Sequence, residues 1–256
     1  MKDKTGHYEF VAEPFHVDFT GRLFMGVLGN HLLNCAGFHA SERGFGIANL
    51  NESNYTWVLS RLAVELTEMP EAYGKFAIDT WIENVYRLFT DRNFAITGPE
   101  GKVYGYARSV WAMIDMDTRK PADLLTLHGG RITDYTLASR MCPIEKPGRI
   151  KVSSQTACRD IDIRYSDIDI NGHVNSIKYM EHVMDLFPKE WYTDRHLYRF
   201  EMAYVAESYY GDTLSFFRES RRNGNEFDIE VRKNVGRKEA PFGETVCRSR
   251  LIFRNK

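Results

Sequence analysis

Arg164 to Phe187 reads R-Y-S-D-I-D-I-N-G-H-V-N-S-I-K-Y-M-E-H-V-M-D-L-F. Asp167, Asp169, Asn171 and His173 crowd its first half, and Gly172 supplies the turn. Val174, Ile177, Met180, Met184 and Phe187 then fall at steps of three and four, which predicts an amphipathic helix stopped at Pro188. A polar loop therefore feeds straight into a helix built for burial. The first N–H groups of such a helix lack internal partners and carry the positive end of its dipole, so a carboxylate or an oxyanion is stabilised there.

Three readings fit the loop. D-x-D-x-N-G opens an EF-hand, but counting from Asp167 the ligand expected at the twelfth position is a bidentate Glu, and Lys178 stands there. A cation does not ligate a cation, so no metal is expected. A turn with a helix cap explains Asn171 and Gly172 but leaves two carboxylates and an imidazole without a reason. The third reading is a hydrolytic site, a carboxylate and a histidine held against a helix N-terminus.

The whole chain narrows the class. Its 256 residues, 43% hydrophobic, suffice for one large or two ordinary packed domains. With 34 basic against 35 acidic residues, no global field argues for nucleic acid. No apolar run approaches the roughly 18 residues of a membrane span, and the opening M-K-D-K-T-G-H-Y-E lacks a signal-peptide core. Cys35, Cys142, Cys158 and Cys247 show no metal or redox spacing and read as reduced thiols of a cytoplasmic protein.

Taken in order, His7–Phe19 reads as a strand bent at Pro14, and Leu23–Ala40 as a helix with Leu28, Leu32, Cys35 and Ala36 on one side. Strands follow at Tyr55–Glu68, Lys75–Arg87, Leu88–Thr97 and Lys102–Asp115, predicting a sheet wrapped round a central helix. Pro121–Gln155 shows little periodicity and reads as a crossover, with a short helix near Ile132–Ser139. The second half repeats the first, with strands at Tyr198–Glu207, Asp212–Arg221, Glu226–Asn234 and Gly243–Phe253. Trp57, Trp81 and Trp111 read as core or tunnel wall, His31 and His39 as packing or surface residues.

Y-S-D-I-D-I-N-G-H-V-N resembles the active-site loop of hot-dog thioesterases, both of the 4-hydroxybenzoyl-CoA group and of the acyl-ACP (acyl carrier protein) group. N-Y-T-W-V-L-S-R-L-A-V-E-L at 54–66, F-A-I-D-T-W-I-E-N at 76–84 and A-R-S-V-W-A-M-I-D-M-D-T-R-K at 107–120 are similar to the N-terminal hot-dog of plant plastid acyl-ACP thioesterases. The resemblance covers most of the chain, which is identified as a bacterial member of that family. It implies an α+β fold of two tandem hot-dog domains. Residues 1–145 would hold a degenerate site that shapes the acyl tunnel, and residues 146–256 the catalytic one.

The repeat can be set from E-A-Y-G-K at 71–75 against S-Y-Y-G-D at 208–212, and Arg108-Ser109 against Arg248-Ser249. In that register Thr20 stands for Asp169, Arg22 for Asn171, Phe24 for His173 and Pro70 for Glu207. Y-V-A-E-S at 204–208 is similar to the plant family's Y-R-R-E-C, whose glutamate is a catalytic acid/base. Ser208 departs from it, since the plant enzymes have cysteine there.

The resemblance implies hydrolysis of a fatty acyl thioester, with acylated ACP as partner, no cofactor, and a homodimer permitted. Glu207 and Asn171 would hold and deprotonate water, while His173 and the N–H near Val174 polarise the carbonyl. Asp169 would either orient His173 and the substrate amide or attack the carbonyl itself. An acyl-CoA thioesterase and a non-catalytic acyl-binding module are the alternatives. A basic cluster at Arg218, Arg221, Arg222, Arg232, Lys233, Arg237 and Lys238 is the candidate docking surface for an acidic carrier.

Overall fold

The computed structural model describes residues 3–221, 224–234 and 243–256, without the side chains of 127 and 128. The chain divides into two compact units, one ending at Lys146 and the other beginning at Pro147. In the first, β1 (Thr5–Val11) precedes α1 (Met25–Ser41) and the short α2 (Ile47–Asn51). β2 (Tyr55–Leu66), β3 (Lys75–Val85), β4 (Phe89–Thr97) and β5 (Val103–Asp115) follow. They are ordered β1-β3-β4-β5-β2, each neighbouring pair antiparallel. The expected stripe of α1 is the buried one: Leu28, Leu32 and Cys35 are fully enclosed.

The second unit contains β6 (Arg159–Asp162), α3 (Ser176–Met184), α4 (Lys189–Asp194), β7 (Arg195–Tyr204), β8 (Thr213–Ser220), β9 (Glu226–Lys233) and β10 (Glu244–Asn255). Their order, β6-β8-β9-β10-β7, reproduces the first unit strand for strand, again antiparallel throughout. α3 buries Ile177, Tyr179, Met180 and Val183. Each unit is a hot-dog, an antiparallel sheet with one principal helix.

Four expectations change. The first strand stops at Val11, because Pro14 opens a 3-10 turn over Pro14–His16. In the crossover the short helix is a 3-10 stretch at Leu127–Tyr135, earlier than Ile132–Ser139. The site helix ends at Met184, and Pro188, rather than only stopping it, leads into α4. That turn lets Phe187 and Trp191 pack on Phe227 and Phe253, with Phe187–Phe227 centroids 4.9 Å apart. Finally, β7 ends at Tyr204, so Glu207 stands on the connection beyond the strand. The N–H groups of Val205 and Ala206 both point to the Val246 carbonyl, which takes the chain out of the ladder.

The internal register also shifts. His16 and Asp167 each accept, through their carbonyls, the N–H that precedes the helix, from Phe24 and Asn175 respectively. Leu23 N–H donates to Pro70 as Val174 N–H does to Ser208, and the bridges Arg22↔Glu71 and His173↔Tyr209 match. Asp169 therefore corresponds to Asp18, Asn171 to Thr20, His173 to Arg22 and Glu207 to Met69. The string register fails because Gly74 and Gly211 are not equivalent. The left-handed position of that turn is held by Tyr73 (φ 63°) in the first copy and Gly211 (φ 87°) in the second.

Candidate active site

A 3-10 turn at Tyr165–Asp167 delivers the chain into a tight loop closed by the bridge Ile168↔Val174. Asp169 N–H donates to the His173 carbonyl at 2.8 Å and Gly172 N–H to the Asp169 carbonyl at 3.0 Å, with Gly172 at φ 79°. The Asp169 carboxylate lies inside this loop: its Oδ1 accepts the N–H of Asn171 at 2.8 Å and of His173 at 3.3 Å. It thus orients His173 through the backbone, not through the ring.

Val174 N–H, expected to face an oxyanion, is already used, donating to the Ser208 carbonyl at 2.8 Å. This bond joins the loop to the Glu207 segment. Asn175 caps α3, its Oδ1 accepting Ile177 N–H at 2.9 Å. Ser176 N–H is the one in this first turn with no acceptor among the described residues.

Glu207 and His173 meet: Oε1 lies 3.5 Å from His173 Nδ1, both side chains being partly open to solvent. Tyr209 joins them. Its hydroxyl donates to Glu207 Oε2 at 3.3 Å, and its ring stands edge-on to His173 with centroids 5.1 Å apart. Lys233 donates from Nζ to the Glu207 carbonyl at 2.7 Å. Neither Tyr209 nor Lys233 was among the expected site residues. The hint was local for Tyr209, two residues from Glu207, but Lys233 is brought in only by the pairing of β8 with β9. Asn171 is exposed, and its side chain makes no hydrogen bond among the described residues. Ser208 is fully buried, out of reach of a substrate as a nucleophile.

The twin loop of the first unit repeats the geometry without the chemistry. Asp18 Oδ1 accepts Thr20 N–H at 2.7 Å and Arg22 N–H at 3.4 Å, and Gly21 N–H donates to the Asp18 carbonyl at 2.9 Å. Only Thr20, Arg22 and Met69 stand where the amide, imidazole and second carboxylate would be. Deeper in this unit, His39 is wholly buried between Arg92, 3.1 Å from Nδ1, and the Lys4 carbonyl, 3.2 Å from Nε2. Burial first, then the Arg92 and Arg43 charges, pushes its pKa down to about 3, so it is neutral.

Other expectations resolve as follows. Lys178 pairs with Glu181 at 2.7 Å, an ammonium where a calcium ligand would be needed. Trp81 is core, whereas Trp57 and Trp111 are half-buried. Arg108 pairs with the buried Glu83 at 3.2 Å. In the basic cluster, Arg221 is paired with Asp228, Arg232 with Glu230 and Lys233 with Glu244, while Arg218 donates to the Leu186 carbonyl. Their field is largely spent locally. Arg222, Arg237 and Lys238 lie outside the described residues. Among the described residues no helix is long and apolar enough to cross a membrane.

Residues 6–126 match the model of the acyl-ACP thioesterase N-terminal domain, and residues 150–255 that of the acyl-ACP thioesterase C-terminal domain. The oleoyl-acyl carrier protein thioesterase of Coriandrum sativum is 24% identical over 227 residues, 80% of this chain and 60% of that one. The chain thus spans less than two thirds of the length of this curated relative. A solved structure of an acyl-ACP thioesterase from Bacteroides thetaiotaomicron is 65% identical, with a TM-score of 0.91 and 98% of each chain covered. The 12:0-ACP thioesterase of Umbellularia californica, at 20% identity and a TM-score of 0.83 over 100% of this chain and 99% of that one, shares the fold. Matched in both halves by the family's two domains, this chain belongs to the acyl-ACP thioesterases.

Proposed function

We propose that this protein hydrolyses the thioester of fatty acyl-ACP, releasing free fatty acid and the carrier in fatty acid biosynthesis in the cytoplasm. The observation that carries the reading is the approach of His173 Nδ1 to Glu207 Oε1 at 3.5 Å, beside a helix start with Ser176 N–H unpartnered. Glu207, its Oε2 held by Tyr209, takes a proton from water, with the Asn171 amide helping to hold that water, and the oxygen bonds to the carbonyl carbon. Ser176 N–H and the Nε2–H of a protonated His173 stabilise the oxyanion. When the C–S bond breaks, His173 gives the Nε2 proton to sulfur. Glu207 then releases its proton to solvent and His173 Nε2 takes one up, which restores the pair. A thiol of pKa about 8.5 is an easy leaving group, so the strain of catalysis falls on water activation and the oxyanion. Asp169, occupied by two loop N–H groups, keeps the loop in shape instead of attacking the carbonyl.

Thiol release from a panel of acyl-ACPs and acyl-CoAs tests this. Hydrolysis of acyl-ACP that is lost in Glu207→Gln is expected. Faster hydrolysis of acyl-CoA would move the carrier to CoA. Binding of acyl groups without any hydrolysis would overturn the enzyme reading in favour of an acyl-binding module.

A further inference from the structure

Behind the loop lies a second carboxylate–imidazole pair that the proposed chemistry does not use. Asp167 is 6% exposed. Its Oδ2 accepts Arg164 N–H at 2.8 Å, and its carbonyl accepts Asn175 N–H at 2.8 Å. Oδ1 lies 3.2 Å from His182 Nε2, within ion-pair distance although not aligned as a hydrogen bond, and that buried nitrogen has no hydrogen-bond partner among the described residues. His182 projects from α3, with the ring of Phe216 on β8 edge-on at 6.5 Å. Asp167 thereby holds the start of the loop and the N-cap residue of α3 by hydrogen bonds, and stands within ion-pair distance of α3 itself nearly two turns further on.

The first unit shows what the scaffold does without that grip. His31 occupies the position on α1 that His182 occupies on α3, and His16 stands where Asp167 does. His31 Nε2, like His182 Nε2, is buried without a hydrogen-bond partner among the described residues, but it is packed between Phe10 and Phe76 and not against a carboxylate. An imidazole on the helix is common to both copies. Among the described residues, a carboxylate lies in ion-pair distance of it only in the copy that keeps His173 and Glu207.

Resting on the hydrolytic reading above, we propose that His182 and Asp167 are positioning residues, a buried latch that fixes the N-terminus of α3 and so aims Ser176 N–H at the reacting carbonyl. A misplacement of about 1 Å in such a donor can cost up to a hundredfold in rate. The latch touches no reacting atom. Its loss should therefore lower the rate of the chemical step while leaving substrate affinity in place.

His182→Leu removes the nitrogen, His182→Gln returns an N–H near the position of Nε2, and Asp167→Asn keeps an acceptor for Arg164 while removing the charge. Two readouts apply: amide hydrogen exchange across 168–180, and kcat and KM on a short carrier-free acyl thioester. His182→Leu should speed exchange and lower kcat about tenfold with KM within about twofold, and His182→Gln should recover most of both. His182→Leu combined with Asp167→Asn should be no worse than either alone. Additive losses, no rescue by His182→Gln, or unchanged exchange and kcat in His182→Leu would each overturn the latch. Should the wild-type protein show no turnover, the hydrolytic reading fails, while the exchange arm still decides whether the latch exists.

Discussion

Two loops of the same shape sit at the starts of α1 and α3. In Asp18–Phe24 and in Asp169–Asn175 a carboxylate accepts two backbone N–H groups two and four residues on, at 2.7 and 3.4 Å in one and 2.8 and 3.3 Å in the other. The first loop has neither a histidine nor a glutamate to work with, yet it keeps its aspartate. On the function proposed above, the aspartate makes the loop and what the second loop adds is left to do the chemistry. Those additions are Asn171, His173, Glu207 and the Tyr209 hydroxyl.

The largest effect should come from the additions themselves. Glu207→Gln and His173→Ala should each cut turnover of an acyl thioester about a hundredfold or more, with melting temperature little changed. Met69→Ala and Arg22→Ala, at the matching positions of the first unit, should leave turnover within about twofold. Loss of activity in the second pair would break the comparison.

Asp169→Asn and Asp18→Asn sharpen it. Each weakens two backbone hydrogen bonds to a charged acceptor, with the Thr20 hydroxyl a third at Asp18, and should destabilise its own unit by roughly 1–3 kcal/mol, read by denaturant unfolding. Asp169→Asn should also lower turnover about tenfold by loosening the His173 backbone, and Asp18→Asn should not. A thousandfold loss in Asp169→Asn at unchanged stability would restore the carboxylate as nucleophile.

The two units should also differ in acid. Buried neutral, His39 has a folded pKa of about 3, below its unfolded value near 6.5. Between those values the unfolded chain binds more protons, so the stability present above pH 6.5 is lost as pH falls through that window. The slope is about 1.4 kcal/mol per pH unit for one such group. Unfolding of the first unit should shift on going from pH 7.5 to 5, and His39→Gln should flatten the shift. An unchanged slope in that variant would assign the acid sensitivity to other groups.

The smallest effect concerns the carrier. Because Arg221, Arg232 and Lys233 are already paired with acids, Arg222→Glu with Lys238→Glu should raise the Michaelis constant for acyl-ACP by only a few fold. The effect should grow at low salt and be absent on a carrier-free thioester. Equal loss on both substrates would mean the site itself had been damaged.

Much of this was legible along the chain. The α1 stripe, most of the long strands and the loop-then-helix repeat follow from periodicity and turn residues, because backbone geometry enforces a period of 3.6 or 2 wherever one face is buried. Asp169, His173 and Glu207 were readable as site candidates through resemblance. The register of the repeat was not. Matching letters aligned Gly74 with Gly211, while the backbone asks which residue takes the left-handed turn, and Tyr73 accepts it at a cost that no string displays. Val174 was misread for a similar reason. Being first in line at a helix says nothing of whether a distant carbonyl, here that of Ser208, has already claimed the N–H.

The sequence by itself determined that there are two copies of one fold, which helix lies at the centre of each, and that the candidate site residues are gathered in the second. Short-range periodicity and local turn chemistry carry that information. Only the tertiary structure decided that Asp169 Oδ1 accepts two loop N–H groups and that Ser176 N–H is left open among the described residues. It alone also brought Tyr209 and Lys233 to Glu207 and set Asp167 against His182. Each of those depends on groups brought together by strand pairing or helix packing, and on which hydrogen bonds the backbone has already taken. That competition is settled only once the chain has folded.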